Sequence, residues 1–327
     1  MTRRGIDIPG TAALLTALLC WSSVPLMLRY LADYVPDGWT TNLVRYPAGA
    51  ILYLPWFIAA ACDRSKRRLF VLALIPAAFN IVSQSCWAWA PYFIEPGLLT
   101  FLVRLSVIWG LLAALVLFPE ERRLLGSTRF WVGLVLSLGG FAAVVLRAET
   151  IHSRATLVGV IVALACGVAL GLYMIGVRAT MRHVNPVTAF SIIGTYTAVA
   201  CIFLAPLGEP ASLLSLGPKP LLILLFSAIV GIAIAHTMFY FAIQRLGVTI
   251  CSSSNVFTPF VTVTASSLLF HERFAPLQWV GGVMLVLGTI LVVWSQEHLR
   301  GVRPTGFDSD VARGPDEEPA ECAVDTP

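Results

Sequence analysis

Ten apolar runs of about 17 to 24 residues follow one another along this chain, each long enough to cross a hydrocarbon core of roughly 30 Å as a helix rising 1.5 Å per residue. They span Pro9–Met27, Trp39–Ala61, Phe70–Tyr92, Gly97–Phe118, Phe130–Leu146, Leu157–Val177, Pro186–Ala205, Leu221–Ile243, Val248–Phe270 and Leu277–Ser295. With 57% hydrophobic residues, 12% charged residues and a mean hydropathy of +0.82, the composition lies outside that of soluble domains, and lipid is the expected solvent. Lipid offers the backbone no hydrogen-bond partner, and these runs lack the alternation of barrel strands. The expected fold is an all-α integral membrane bundle of ten transmembrane helices.

The net charge of +4 is distributed unevenly. Arg3, Arg4, Arg64, Lys66, Arg67, Arg68, Arg122, Arg123, Arg129, Arg178, Arg182, Arg245, Arg300, Arg303 and Arg313 fall in alternate loops or at the termini, against Arg29, Arg147, Arg154, Lys219 and Arg273 on the other side. The positive-inside rule then puts both termini in the cytoplasm, for a multi-pass protein of the cytoplasmic membrane. Basic residues confined to short loops are not a nucleic-acid surface, so the expected partners are the bilayer and a small-molecule substrate. Arg3 and Arg4 before an apolar run imitate a signal peptide, but without a small-x-small cleavage site the first helix is expected to stay. The seven cysteines lie singly, with no CxxC spacing, and read as packing residues; no metal or cofactor is expected. Residues 298–327 turn polar and acidic and read as a disordered cytoplasmic tail.

A repeat organises the rest. Leu117-Phe118-Pro119-Glu120 is echoed by Leu269-Phe270-His271-Glu272, 152 residues on, and Trp131-Val132-Gly133 by Trp279-Val280-Gly281. The same offset sets Gln84 against His236 and Thr100 against Ser252, and an offset of 149 sets Gly10 against Gly159 and Arg29 against Arg178 in the first helix of each half. The units are five helices each, at 1–147 and 156–297. Because five is odd, the second unit enters the membrane upside down relative to the first. Inverted repeats of this kind give one bundle two near-equivalent conformations, open to opposite sides.

Trp21-Ser22 midway along helix 1, Arg45 near the start of helix 2, the alanine-rich ends of helices 3 and 8 and a Glu closing helices 4 and 9 (Glu120, Glu272) form a pattern. With Pro259 in helix 9 and Gly-rich helices 5 and 10, the chain resembles the drug/metabolite transporter superfamily, specifically its EamA-type ten-helix members, over about residues 9–295. The resemblance implies a secondary transporter of a metabolite or drug-like solute, with efflux the commoner direction and a substrate cavity between the halves; a homodimer is compatible with it. Two positions depart from the pattern. Val107 stands where the first-half counterpart of Pro259 would be, so helix 4 is expected to lack a break. Arg104 stands opposite the apolar Val256.

Polar residues inside spans are costly and mark candidate positions. Asn80, Gln84 and Trp87 share one face of helix 3, and His236 and Tyr240 share a face of helix 8. Together with Trp21, Tyr173 and Asn255 they line a candidate cavity, or else tie helices by hydrogen bonds. His236 is the one histidine within a span; it binds substrate, relays a proton or packs. A central Arg costs roughly 2.5–3.5 kcal/mol on the insertion scale, so neither Arg45 nor Arg104 should face lipid. Arg45 is expected to be structural, closing the outer end through carbonyls, Asp37 or Glu95. Arg104, with Thr100 one turn away, either holds an anionic group through its planar fork or pairs with Glu95. Glu120, Pro259 and Glu272 are expected to be architectural. Ser252 to Asn255 open helix 9, and Ala163, Gly167 and Gly171 form a small-residue face on helix 6.

No HExxH, GxSxG, paired intramembrane carboxylates or cofactor loop supports an intramembrane enzyme, and no ring of like charges supports a channel. A carrier is the expected class.

Overall fold

A computed structural model describes residues 7–146, 154–181, 183–246, 251, 254–255 and 257–300, with side chains except at 120, 145–146, 154–155 and 296–300. The helices are α1 (Ile8–Leu31), α2 (Gly38–Cys62), α3 (Arg67–Leu72), α4 (Leu74–Trp89), α5 (Pro96–Val103), α6 (Ser106–Leu117), α7 (Thr128–Leu146), α8 (Arg154–Thr180), α9 (Pro186–Leu204), α10 (Pro218–Ala228), α11 (Ala235–Leu246), α12 (Thr258–Leu269) and α13 (Pro276–Arg300), with no strand among the described residues. Among the described residues, seven helical stretches are long and apolar enough to cross a membrane, eight with α3 and α4 taken as one bent span; the other two expected spans carry shorter helices, Thr128–Val144 and Thr258–Leu269. Side chains are distributed as lipid requires. Leu19, Val116, Phe203 and Leu268 face outward, while Asn42, Arg45, Asn80, Thr197, Ser227 and Thr262 are buried inside.

Helix ends follow local chemistry. Asp7 accepts from Gly10 N at 3.0 Å to start α1, and Asp37 accepts from Thr40 N and Thr40 Oγ1, both at 2.8 Å, to start α2. Glu272 works across the fold: its carboxylate accepts from Gly97 N at 3.1 Å and Leu98 N at 3.2 Å at the start of α5, and from Ser266 Oγ at 2.5 Å. The negative charge sits on the positive end of that helix. Glu120 lies in the 3-10 stretch Pro119–Gly126, and its side chain is outside the described set.

The continuous third span expected from Phe70 to Tyr92 is bent by 46° between its two helices. Pro76 has no N–H for the carbonyl of Leu72, and its ring crowds that same carbonyl. The fourth span also differs from expectation, because it tightens between α5 and α6 without a proline. Arg104 N, Leu105 N and Val107 N bond three residues back, to Phe101 O, Leu102 O and Arg104 O. In the other half Phe257 N bonds Ser254 O at 3.1 Å, the repeat equivalent of the Leu105 bond. There Pro259 removes the donor to Asn255 O, and Thr258 Oγ1 supplies one at 2.7 Å.

Packing joins the two halves of the chain. α2 lies on α9, α7 on α13, α5 on α12, α4 on α8 and α1 on α11. Close approaches show that these pairs run antiparallel: Gly133 meets Gly288 and Gly140 meets Gly281, while Gly10 meets Arg245 and Gly231 meets Val24. The glycine of each Trp-Val-Gly thus lies in the α7–α13 seam. A Cβ on Gly281 would stand 2.7 Å from Gly140 O, and one on Gly133 2.7 Å from Gly288 O.

Candidate functional site

Between α10 and α11 the backbone widens into a π-helical turn, Ile229–Ile234, a winding that often accompanies functional positions. Its neighbours give it room. A Cβ at Gly49 is only 2.6 Å from Ile232 Cγ2, and one at Gly231 would meet Val24 Cγ2 at 2.6 Å, so α2 and α1 both press on the turn. His236 emerges just beyond it. Because a carbonyl only accepts, the 2.9 Å contact to Ile232 O makes Nδ1 the donor, and whenever the ring is neutral Nε2 is then its acceptor.

Aromatic side chains from other helices surround that ring. Phe190 of α9 stacks on it with centroids 4.3 Å apart, Trp21 of α1 meets it edge-on at 5.3 Å, and Tyr240 lies at 6.2 Å. Tyr53 of α2 packs edge-on against Phe190 at 5.0 Å; its hydroxyl donates to Ala233 O at 3.1 Å and lies 2.9 Å from Thr237 Oγ1. Tyr173 of α8 packs instead against a separate apolar core that includes Ala77, Met181 and Ile193. Both halves of the chain therefore contribute to one aromatic cluster, and of the sequence candidates Trp21, His236 and Tyr240 belong to it, whereas Tyr173 does not.

A second group forms where α5 gives way to α6. Arg104 Nη2 donates to Asn255 Oδ1 at 3.5 Å, and the same oxygen accepts from Thr258 Oγ1 at 2.7 Å. The Glu95 pairing weighed for Arg104 gives way to another: Glu95 lies 3.4 Å from Arg29 Nε. Thr100 does not join Arg104, because its hydroxyl donates to its own helix, at Gly97 O (2.9 Å) and Pro96 O (3.1 Å). Ser252 and Ser253 lie outside the described residues.

Helix α4 is used differently from its sequence pattern. Asn80 Nδ2 donates to Thr197 Oγ1 of α9 at 2.9 Å, and Gln84 offers its backbone carbonyl to Asn42 Nδ2 at 2.9 Å. Trp87 packs between the apolar cores around Leu28 and Leu98. Arg45 takes neither Asp37 nor Glu95 as partner; its Nε donates to Ser227 Oγ at 3.1 Å. Asp37 is already engaged, by Thr40 and by Glu209 N at 2.9 Å.

Phe190, Tyr53, Asn42 and Ser227 escaped the sequence reading. The α2 residues were detectable, since Asn42, Arg45, Tyr46, Gly49 and Tyr53 recur at the spacing of one inward helical face. Phe190 and Ser227 carry no such signal.

Residues 157–294 match the EamA-like transporter family. An uncharacterized transporter of Synechocystis sp. is 29% identical over 188 residues, covering 52% of this chain and 56% of that protein, so the match spans just over half of the relative. A crystal structure of a protein 18% identical in sequence covers 86% of this chain and 96% of its own with a TM-score of 0.56, a likeness of fold. The chain is a multi-pass helical membrane protein whose residues 157–294 are similar to the EamA-like transporter family.

Proposed function

We propose that this protein is a secondary transporter that moves a small metabolite or drug-like solute across the cytoplasmic membrane by alternating access, with export as its direction and both termini in the cytoplasm. On this reading ten spans form two inverted five-helix units, residues 1–147 and 156–297, followed by a cytoplasmic tail. The observation that carries it is the pattern of helix pairing. When the first five spans are exchanged with the last five, the neighbours map onto themselves: α2–α9, α5–α12 and α7–α13 pair with their own equivalents, and α1–α11 exchanges with α4–α8. A bundle with that property has two arrangements of similar energy facing opposite sides, which a carrier needs.

The aromatic cluster around His236 is the proposed solute-binding wall. It draws on α1, α2, α9 and α11, so a solute there touches both units. Arg104 and Asn255 form the proposed polar wall, with Asn80, Gln84 and Trp87 supporting the site from α4. His236 acts as a neutral hydrogen-bonding group, with Nε2 facing the solute.

The test is reconstitution into proteoliposomes, with solutes chosen by a thermal-shift screen, because a ligand that binds only the folded state raises its apparent stability. Saturable flux with counterflow is expected. Non-saturating flux proportional to the gradient would mean a channel and would overturn the carrier reading.

A further inference from the structure

Among the described residues, Arg45 is a buried charged group that the packing leaves only partly satisfied. It is 2% exposed, about 10 Å in from the start of α2. Ser227 donates to Leu224 O at 2.7 Å and so turns a lone pair to Arg45 Nε. Nη1 is buried with no hydrogen-bond partner. No ion pair among the described residues includes Arg45: Asp37 and Glu272 cap helices, and Glu95 pairs with Arg29. One turn earlier on the same face, Asn42 is 1% exposed, gives its Nδ2 to Gln84 O, and keeps Oδ1 buried without a partner. Gly231 in the π turn adds no side chain where a Cβ would stand 3.7 Å from Arg45 Nη2.

An unpaired guanidinium in a bundle interior is expensive, and so is an unpaired amide oxygen. A free donor of positive charge and a free neutral acceptor, one helical turn apart, are complementary to a ligand carrying an anion beside an O–H or N–H. We propose that Arg45, oriented by Ser227 and joined by Asn42, binds the carboxylate of the solute, with Asn42 Oδ1 accepting from a donor on the adjacent carbon. The carboxylate oxygens take the open guanidinium N–H groups, and the rest of the solute extends along the π turn towards Phe190 and His236. Arg45 then has a ligand-binding role in addition to tying α2 to α10.

This assignment rests on the transporter reading, and the two fail separately. The probe is mandelate, whose carboxylate, hydroxyl and ring match Arg45, Asn42 and the aromatic cluster; mandelamide lacks the charge and phenylacetate lacks the hydroxyl. Calorimetric titration of the full-length protein in lipid nanodiscs should rank mandelate above phenylacetate and both above mandelamide, and Arg45→Gln should weaken mandelate binding at least about tenfold. Arg45→Lys keeps the charge and should retain part of the affinity. Asn42→Asp places an internal carboxylate one turn from Arg45, and should abolish mandelate binding while melting at or above the wild-type temperature. No mandelate binding by the wild type, equal binding of mandelamide, or unchanged binding by a folded Asn42→Asp protein would each overturn the site. Saturable counterflow of a neutral solute without mandelate binding would remove the anion site and leave the carrier. Mandelate binding without saturable flux of any solute would do the reverse.

Discussion

Gly171 and Gly167 lie one turn apart on the same face of α8, and the structure predicts opposite responses to the same methyl group. A Cβ on Gly171 would stand 2.6 Å from both Ser106 O and Gly110 N, backbone atoms of α6 that cannot swing aside. Ordinary contact begins at 3.4 Å, so α8 and α6 would have to part by about 0.8 Å. In lipid, helix association relies on close van der Waals packing, and a gap of roughly 0.5–1 Å forfeits about a quarter to a half of each contact's attraction. Overpacking of this kind costs about 1–3 kcal/mol. A Cβ on Gly167 meets nothing nearer than 3.6 Å and fits as it stands. Both substitutions gain the same roughly 1 kcal/mol of helix propensity, so that contribution cancels between them. Gly171→Ala should therefore be less stable than Gly167→Ala by about 1–3 kcal/mol, at roughly 2–4 °C per kcal/mol in thermal unfolding followed by tryptophan fluorescence. If Gly171→Ala melted at or above Gly167→Ala, the close approach of α8 to α6 would be wrong.

Glu272→Gln keeps the shape of the α5 cap but removes its charge, and should cost about 1–2 kcal/mol in the same melting assay; unchanged stability would refute the cap. His236→Ala should weaken solute binding by about tenfold without altering how uptake depends on a pH gradient. Normal binding with loss of pH-driven uptake would instead mark His236 as a proton relay. The Gly10 N–H and Arg245 hold the Asp7 carboxyl below the usual carboxylate range. That contribution is complete above the ordinary range and disappears as pH falls through the lowered value. Melting curves of wild type and Asp7→Asn should differ near neutrality and converge in acid, and a constant difference down to the acid end would rule out the pairing.

Much of the architecture was legible because lipid imposes strong local rules. Span length, apolarity and the absence of backbone partners in the bilayer dictate helices from sequence alone, and each of the ten expected runs carries helix in the structure. Repeats survive in sequence where their packing is unforgiving, as with the Trp-Val-Gly glycines that meet backbone across the α7–α13 seam. The candidate site was legible only in part. Side-chain type and helical spacing identified His236, Tyr240, Trp21 and Arg104, since polar or large aromatic groups inside a span need an account. Spacing gave no guidance on partners: Arg45 chose Ser227, 182 residues away, over the nearer Asp37.

One crossing separates what each level decides. The sequence offsets set Ser22 against Gly171, Thr258 against Ser106 and Thr262 against Gly110, and in the structure both sets meet, each crossing joining one helix from the first half of the chain to one from the second. At one crossing the helices meet through hydrogen bonds, Thr262 Oγ1 to Ser22 O at 3.0 Å and Ser22 Oγ to Thr258 O at 3.4 Å; at the other, Gly171 and Gly110 let the backbones touch directly. Helices are local consequences of an apolar solvent and the repeat is a pattern of residue order, so both are written in the chain. The π turn, the break at Arg104 without a proline, and the unpaired guanidinium of Arg45 arise only when distant segments press on one another. Tertiary structure alone decides them, because each depends on the space that neighbouring helices leave.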